Sequence, residues 1–513
     1  MTEQFFGKPF RIVLASLAVV FLAAVLVFKT AWTGPALVVI AVGAFILTVK
    51  RLEWGLAAAF AELFANSLGH LIDAPLLGFS FSLREAVFLG VMLGWLFLVA
   101  RRRTALPLRD ARLAPFIPLA AAVALGFALG FIRHGPKAAF EDGKAYLYAL
   151  YVLPVLSVRW TDAARRLLLQ ALSAGAAWVS FLTLGLLYAY THLPNAALAA
   201  IYAFFRDTRT AELTRMGGIF RVFLQAQLSV FALLVLVSAA AWTRAFDRRR
   251  AWRWIALAAV LWSVVVIGLS RSFWLGLGAA ALVVIGLFAP RPLVAPRRRT
   301  WKAAGLQAAA LAGGLAILAA VVLFPFPRRT SSAASLSDAF MARTTDLNDV
   351  AVSSRWNLLP AMMRAILVSP ISGSGFGQTV TFKTDDPRVR AVHPDGTWTT
   401  DAFEWGWLDL WLKMGLLGPF AFLVLLGGVW NGLKPLLATD RAWLGAGLFA
   451  AVVMVYVTHA LSPYLNNPLG LGLLLFTVPF WTEGKRRASE AVAPKPVAAD
   501  VRAAASTLAA EAE

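Results

Sequence analysis

The chain has no cysteine, five histidines and few charged residues, with only 15% of its 513 positions being Asp, Glu, Lys or Arg. Without thiols, disulfides, iron–sulfur clusters, thiolate zinc sites and a cysteine nucleophile are all excluded. His70, His134, His192, His393 and His459 show no HxxxH or HxH spacing, so no histidine-built metal centre is expected. No motif calls for a cofactor. Acidic residues are also scarce, 27 against 48 Lys and Arg, giving a formal charge of +21. A basic stripe would suit nucleic acid. Here the basic residues sit mainly in short connections between apolar runs, which is the membrane-topology pattern, and no nucleic-acid partner is expected.

What the chain has in abundance is apolar sequence, with 60% hydrophobic residues and a mean hydropathy of +0.72. A soluble domain runs near 45–50% apolar and about 25% charged. Length alone would suggest three or four soluble domains of about 150 residues. Instead, apolar runs recur from Ile12 to Trp481, long enough to cross a hydrocarbon core of about 30 Å as helices. The alternating pattern of an outer-membrane barrel is lacking. The expected fold is all-α, a polytopic membrane protein of about fourteen spans: 12–28, 31–49, 54–72, 84–100, 113–132, 145–158, 167–190, 223–242, 254–270, 273–290, 303–325, 405–430, 442–461 and 465–482. The first run shows no small-residue cleavage signature and reads as a retained signal-anchor.

Lys and Arg in the connections set the sidedness. An internal N-terminus puts Lys50-Arg51, Arg101–Arg103, Arg165-Arg166, Arg248–Arg250, Arg297–Arg299 and Lys485–Arg487 inside, with 29 of the 48 basic residues. Both termini are then cytoplasmic. The expected organisation is spans over 1–325 with an external Arg-rich segment near 191–223, a large external loop over 326–403, further spans over 404–482, and a flexible cytoplasmic tail over 483–513. The two external segments break the charge rule. The first carries Arg206, Arg209, Arg215 and Arg221; the second carries Arg328, Arg329, Arg343, Arg355, Arg364, Lys383, Arg388 and Arg390. Long loops tolerate such charge. Arginine gathered beside the membrane also suits an anionic ligand, phosphate in particular.

Arg271, in Gly268-Leu269-Ser270-Arg271-Ser272-Phe273-Trp274, joins two apolar runs with no room for a loop. It is either a functional arginine near hydrocarbon depth or one that snorkels to the headgroups. Arg355 lies in a Ser-rich stretch, Ser353-Ser354-Arg355-Trp356, ahead of Ala361-Met362-Met363-Arg364-Ala365-Ile366-Leu367-Val368, a short helix expected at the outer surface. The run Gly373-Ser374-Gly375-Phe376-Gly377 lacks the strand and lysine of a P-loop and reads first as a turn. Where the loop re-enters the membrane, Glu404, Asp409 and Lys413 enter an otherwise apolar stretch. Asp409 and Lys413 are spaced to neutralise each other. Glu404 is left as a general base or as the ion-pair partner of a loop arginine.

Four stretches in order resemble the O-antigen polymerase/ligase superfamily of bacterial envelope proteins (Wzy-type polymerases and lipopolysaccharide O-antigen ligases), mainly over 210–425. RMGGIFRVFLQAQLSV (215–230) resembles the family's arginine-bearing Gly/Phe segment, and LSRSFWLGLGAA its Ser-Arg segment between spans. SSRWNLLPAMMRAILVSPISGSGFG resembles the large-loop segment, and EWGWLDLWLKMGLLG the segment of re-entry. Many ligase-type relatives have His-Asn where this chain has Glu404-Trp405, and relatives often have Pro-Asn where it has Leu224-Gln225. His393, the single histidine of the large loop, lies about eleven residues early.

The resemblance implies metal-independent glycosyl transfer on the external (periplasmic) face of the bacterial inner membrane, moving a glycan from an undecaprenyl-diphosphate carrier to an acceptor hydroxyl. In that reading Arg271 and Arg355 stabilise the diphosphate leaving group and Glu404 is the leading base, with Asp401 and His393 behind it. Arg215, Arg221 and Trp356 bind diphosphate or glycan. Membrane lipid, a chain-length regulator and other envelope polysaccharide assembly proteins are the expected partners. Polymerase is preferred over ligase because the His-Asn pair is missing. A transporter or flippase would be expected to show a two-half repeat, and a scaffold gives Arg271 no purpose.

Overall fold

Apolar runs this long leave no water for their backbone groups, so each must close its hydrogen bonds within a helix. The computed structural model describes residues 2–76, 79–216, 219–243, 251–288, 297–327, 341 and 350–483, and these are overwhelmingly helical. Among them, nine helices are long and apolar enough to span a bilayer, with two shorter apolar helices at Gln227–Trp242 and Ala251–Ile267. The other expected spans take a different form. The run at 54–72 is a helix only over Leu52–Ala65, stopping where Asn66 and Ser67 turn the chain. The run at 145–158 is a 3-10 segment, Lys144–Tyr151, plus one helical turn and a half, Val152–Ser157. The last, 465–482, begins as Pro468–Thr477 and tightens to 3-10 at Val478–Phe480, where Pro479 interrupts the helical pattern.

Asp162–His192 and Ala442–His459 form the centre, with 83% and 78% of their apolar windows buried. Lys8–Val27 and Thr33–Lys50 stand at the edge and expose Leu22, Leu26, Val38 and Val39, a face suited to lipid chains. Arg271–Phe288 packs on Ala442–His459 so closely that a Cβ at Gly276 would meet the Met454 carbonyl at 2.6 Å. Small residues allow such helix approach in lipid.

Three antiparallel hairpins, none expected from the sequence, sit among the helices: β1 (Asp73–Leu76) with β2 (Phe79–Ser82), β3 (Glu212–Met216) with β4 (Ile219–Phe223), and β5 (Val380–Lys383) with β6 (Thr397–Thr400). In the second, Arg215 lies opposite Phe220 and Thr214 opposite Arg221. The large loop also carries more helix than expected, because Val350–Val368 includes the Ser-Arg-Trp stretch and Pro360. Leu358, Met362 and Ile366, four residues apart, make a buried stripe against Val380, Phe382, Phe403 and Leu412. That stripe outweighs the local loop signals of Ser and Pro.

Polar contacts between these elements close into a circuit at one end of the bundle. The Ser67 hydroxyl donates to the Thr210 carbonyl at 2.6 Å, and Arg221 donates to Gly268 at 2.9 Å. Ser272 meets Ser462 at 2.9 Å, and Asn466 donates to Asp409 at 2.6 Å. Lys413 reaches Asp142 at 2.6 Å, Lys144 reaches Glu85 at 3.4 Å, and Arg84 returns to the Ser67 carbonyl at 3.3 Å. The opposite end is pinned by buried Glu483, 2.7 Å from Arg441 and 3.7 Å from Arg165. Arg165 is thus buried rather than displayed in a surface cluster. Arg248–Arg250, Lys485–Arg487, Arg328, Arg329, Arg343 and the tail from 484 lie outside the described residues.

Candidate functional site

Two arginine-bearing corners sit on this circuit. At the first, Gly268-Leu269-Ser270 breaks the chain between Ala251–Ile267 and Arg271–Phe288, with Leu269 at a φ of +44°, and Arg271 opens the second helix. Arg221 comes to the same break, its guanidinium on the Gly268 carbonyl and 4.7 Å from the Phe223 ring centre. Arg221 is thus brought to the break that Arg271 closes, while Arg215, on the opposite strand, is exposed. The corner rests on aromatic packing: Phe273 stacks on Phe231 at 4.5 Å and meets Tyr464 edge-on at 4.9 Å.

At the second corner, Arg355 and Glu404 form an ion pair through Nε and Oε2, with half of the Glu404 side chain accessible. Trp405 fixes it from behind by donating its indole N–H to the Arg355 carbonyl at 2.9 Å, and its ring meets Trp356 edge-on at 5.5 Å. Trp356 is exposed beside the pair, as a sugar-stacking surface would need to be. Of the two readings of Glu404, the pairing with a loop arginine is the geometry present.

The helix that follows Glu404 carries a buried cation. Lys413 is 2.8 Å from Asp409, its partner one helical turn away, and 2.6 Å from Asp142; it also donates to the Asp401 carbonyl at 2.9 Å. Burial of a bare ammonium is costly, and the two carboxylates with the backbone carbonyl supply the partners that offset it. The second oxygen of Asp142 accepts from Gly377 N–H at 2.7 Å. The glycine run is therefore no anion cradle. The N–H groups of Gly373, Ser374, Gly375 and Phe376 are taken by carbonyls of Ser369, Leu412, Lys413 and Gly126. Gly375 has φ +89°, and a Cβ there would meet the Gly130 nitrogen at 2.3 Å, so the run needs glycine to splice the loop onto the bundle.

His393 and the Asp401 side chain take no part in the contacts described at either corner. His393 is exposed after the β5 strand, 6.0 Å edge-on from Trp398, and the Asp401 side chain is exposed. Sequence reasoning missed Asp142, Ser462, Tyr464 and Asn466. The signal available was the polar, Pro-punctuated Leu461-Ser462-Pro463-Tyr464-Leu465-Asn466-Asn467 stretch, set between runs otherwise apolar enough for hydrocarbon. Among the described residues, no group of three or more His, Asp or Glu is arranged to hold a metal ion.

Residues 256–423 match the family model described as O-antigen ligase. Over that region the chain is similar to the O-antigen ligase family, which supports the resemblance to the O-antigen polymerase/ligase superfamily. Comparison with curated proteins and with solved structures gives no match. The matched region holds Arg271, Arg355, Glu404 and Lys413; Arg221, Asp142 and Asn466 reach it from outside, and Arg215 lies outside it. The chain is a multi-pass membrane protein in which residues 256–423 are similar to an enzyme family of the O-antigen ligase/polymerase type.

Proposed function

We propose that the protein transfers a glycan from an undecaprenyl-diphosphate carrier to an acceptor hydroxyl at the periplasmic face of the bacterial inner membrane, both of its termini being cytoplasmic. The observation that carries the reading is the family match enclosing two separate arginine corners, one holding an accessible carboxylate. The acceptor oxygen attacks the anomeric carbon as the bond to the lipid diphosphate breaks. The diphosphate leaves with the bonding electrons, and the hydroxyl proton passes to a carboxylate. Charge grows on the leaving group, so positioned guanidinium groups lower the barrier; Arg271 and Arg355 are assigned that role, with Arg221 and Arg215 binding. Glu404 is assigned the proton. Its pairing with Arg355 supports a coupling: a diphosphate that draws Arg355 away leaves the Glu404 carboxylate without its partner and open to the acceptor hydroxyl. Asp401 and His393 are the alternative bases, and Trp356 a platform for sugar.

Polymerisation of lipid-linked repeat units is the preferred reaction, because Glu404-Trp405 replaces the His-Asn of many ligase-type relatives. Transfer to lipid A-core or protein is the second reading, favoured by the description of the matching family. Purified protein incubated with lipid-linked repeat units decides between them. A ladder of longer lipid-linked products without added acceptor supports polymerase, product only on added core lipid supports ligase, and no covalent product overturns both in favour of transport.

A further inference from the structure

We propose that Lys413, held by Asp142, is a positioning residue that sets the geometry of the Arg355–Glu404 pair. It deepens the transferase reading and rests on it for its kinetic arm. Three chain segments meet at this one ammonium. The Asp401 carbonyl, three residues before Glu404, accepts from it at 2.9 Å. Asp409, on the Gly406–Met414 helix that follows Glu404, lies 2.8 Å away. Asp142, at the end of the short helix Pro136–Gly143, lies 2.6 Å away and with its other oxygen takes Gly377 N–H, at the end of the glycine run that follows the Arg355 helix. Both arms carrying the pair, Val350–Val368 with its glycine run and the stretch from Asp401, thus share one anchor to the bundle in the Lys413–Asp142 contact.

Each arm has a further tie of its own, His134 on the Ser374 carbonyl at 3.0 Å and the Trp407 indole on the Tyr456 carbonyl at 3.3 Å, but Lys413–Asp142 is where both arms meet the bundle together, close in sequence to Glu404. Trp405 and Phe403 hold it to the loop helix itself, by the indole bond to Arg355 and by packing in the loop's own small core. Loosening Lys413–Asp142 removes the anchor the two arms share and so widens the range of positions the pair takes relative to Arg271, with the pair itself intact. A displacement of about 1 Å is enough to cost about 10²-fold in rate.

The test uses the full-length, cysteine-free protein and Asp142→Asn, which keeps the side-chain volume and leaves Lys413 neutralised by Asp409. Spin labels on cysteines at Asn357 and Ile132 read the loop helix against the bundle; labels at Ile132 and Phe420 read the bundle alone. Asp142→Asn is expected to broaden or shift the first distance distribution and leave the second unchanged. Turnover on lipid-linked glycan should fall about 10- to 10²-fold, with lipid-diphosphate affinity held within about threefold. Unchanged distances, or turnover equal to wild type, overturn the proposal and make the cluster a folding element only. A change in both distance pairs also overturns it, as general loosening. The distance arm needs no substrate, so a wild type that transfers nothing sinks the transferase reading and leaves the clamp to be judged by the labels.

Discussion

The stretch 401–413 carries two cation–carboxylate contacts of opposite character. Lys413 is 5% exposed, facing Asp409 at 2% and Asp142 at 11%, and it also takes a backbone carbonyl. Arg355 is 25% exposed and Glu404 50%, held behind by an indole N–H. Burial makes the first contact costly to break and unavailable to a ligand; exposure makes the second cheap to exchange. A charge cluster saturated by its own chain is architecture, whereas an accessible arginine–carboxylate pair beside an exposed tryptophan offers partners that a phosphorylated, hydroxyl-bearing substrate can take.

Breaking the buried side gives the largest expected effect. Lys413→Met leaves Asp409 and Asp142 as facing carboxylates without their cation, a loss of about 3–5 kcal/mol for a buried charge stripped of its partner. Thermal unfolding in detergent should show this as a large drop in midpoint, with Asp142→Asn far milder. Equal midpoints for Lys413→Met and wild type would mean the site is wetter than its burial implies.

On the exposed side, Glu404→Gln should lose about 10²–10⁴ in turnover while lipid-diphosphate binding stays nearly intact, because the amide cannot take the proton. If binding weakens instead and turnover falls only in proportion, Glu404 serves to orient Arg355, and Asp401 and His393 become the candidates for the base. Arg355→Lys and Arg271→Lys keep charge but lose the planar fork; each is expected to cost about 10²–10³ in rate with the protein still inserted. Near-wild-type rates in both would reassign these arginines to topology.

The contrast was half legible in the sequence. Asp409 and Lys413 announce their pairing by spacing alone, and Glu404 stood out because no local partner explained it. Asp142 could not be found that way: it lies 271 residues from Lys413, and only the fold joins them. The helical membrane class followed from run length, since every buried backbone group must pair within its own segment. The hairpins were missed because four- and five-residue strands leave little periodicity, although Gly217-Gly218 between β3 and β4 is a hairpin dipeptide. The loop helix was read too short because Ser and Pro weigh locally, whereas the Leu358, Met362 and Ile366 stripe gains its energy only against Phe382 and Phe403.

The smallest effect is expected where both partners face water, and it extends the comparison to a third contact. Lys29 lies 2.9 Å from Asp207, joining the end of Lys8–Val27 to the end of Asn195–Asp207, with the lysine 63% exposed. Hydrogen bonds from Lys29, then from Arg206, hold the Asp207 carboxyl below its usual range. A carboxyl depressed in the folded state contributes stability above its unfolded value, and that contribution is lost as pH falls through the folded value. Wild type and Asp207→Asn should therefore differ slightly and constantly in unfolding midpoint from pH 7 down to about 5, and converge only below about 3.9, the ordinary range for Asp. Screening should shrink the difference in high salt, which it would not do for the buried Lys413 cluster. A difference that vanishes already near pH 6, or that ignores salt, would show that Asp207 is held by something other than these two exposed cations.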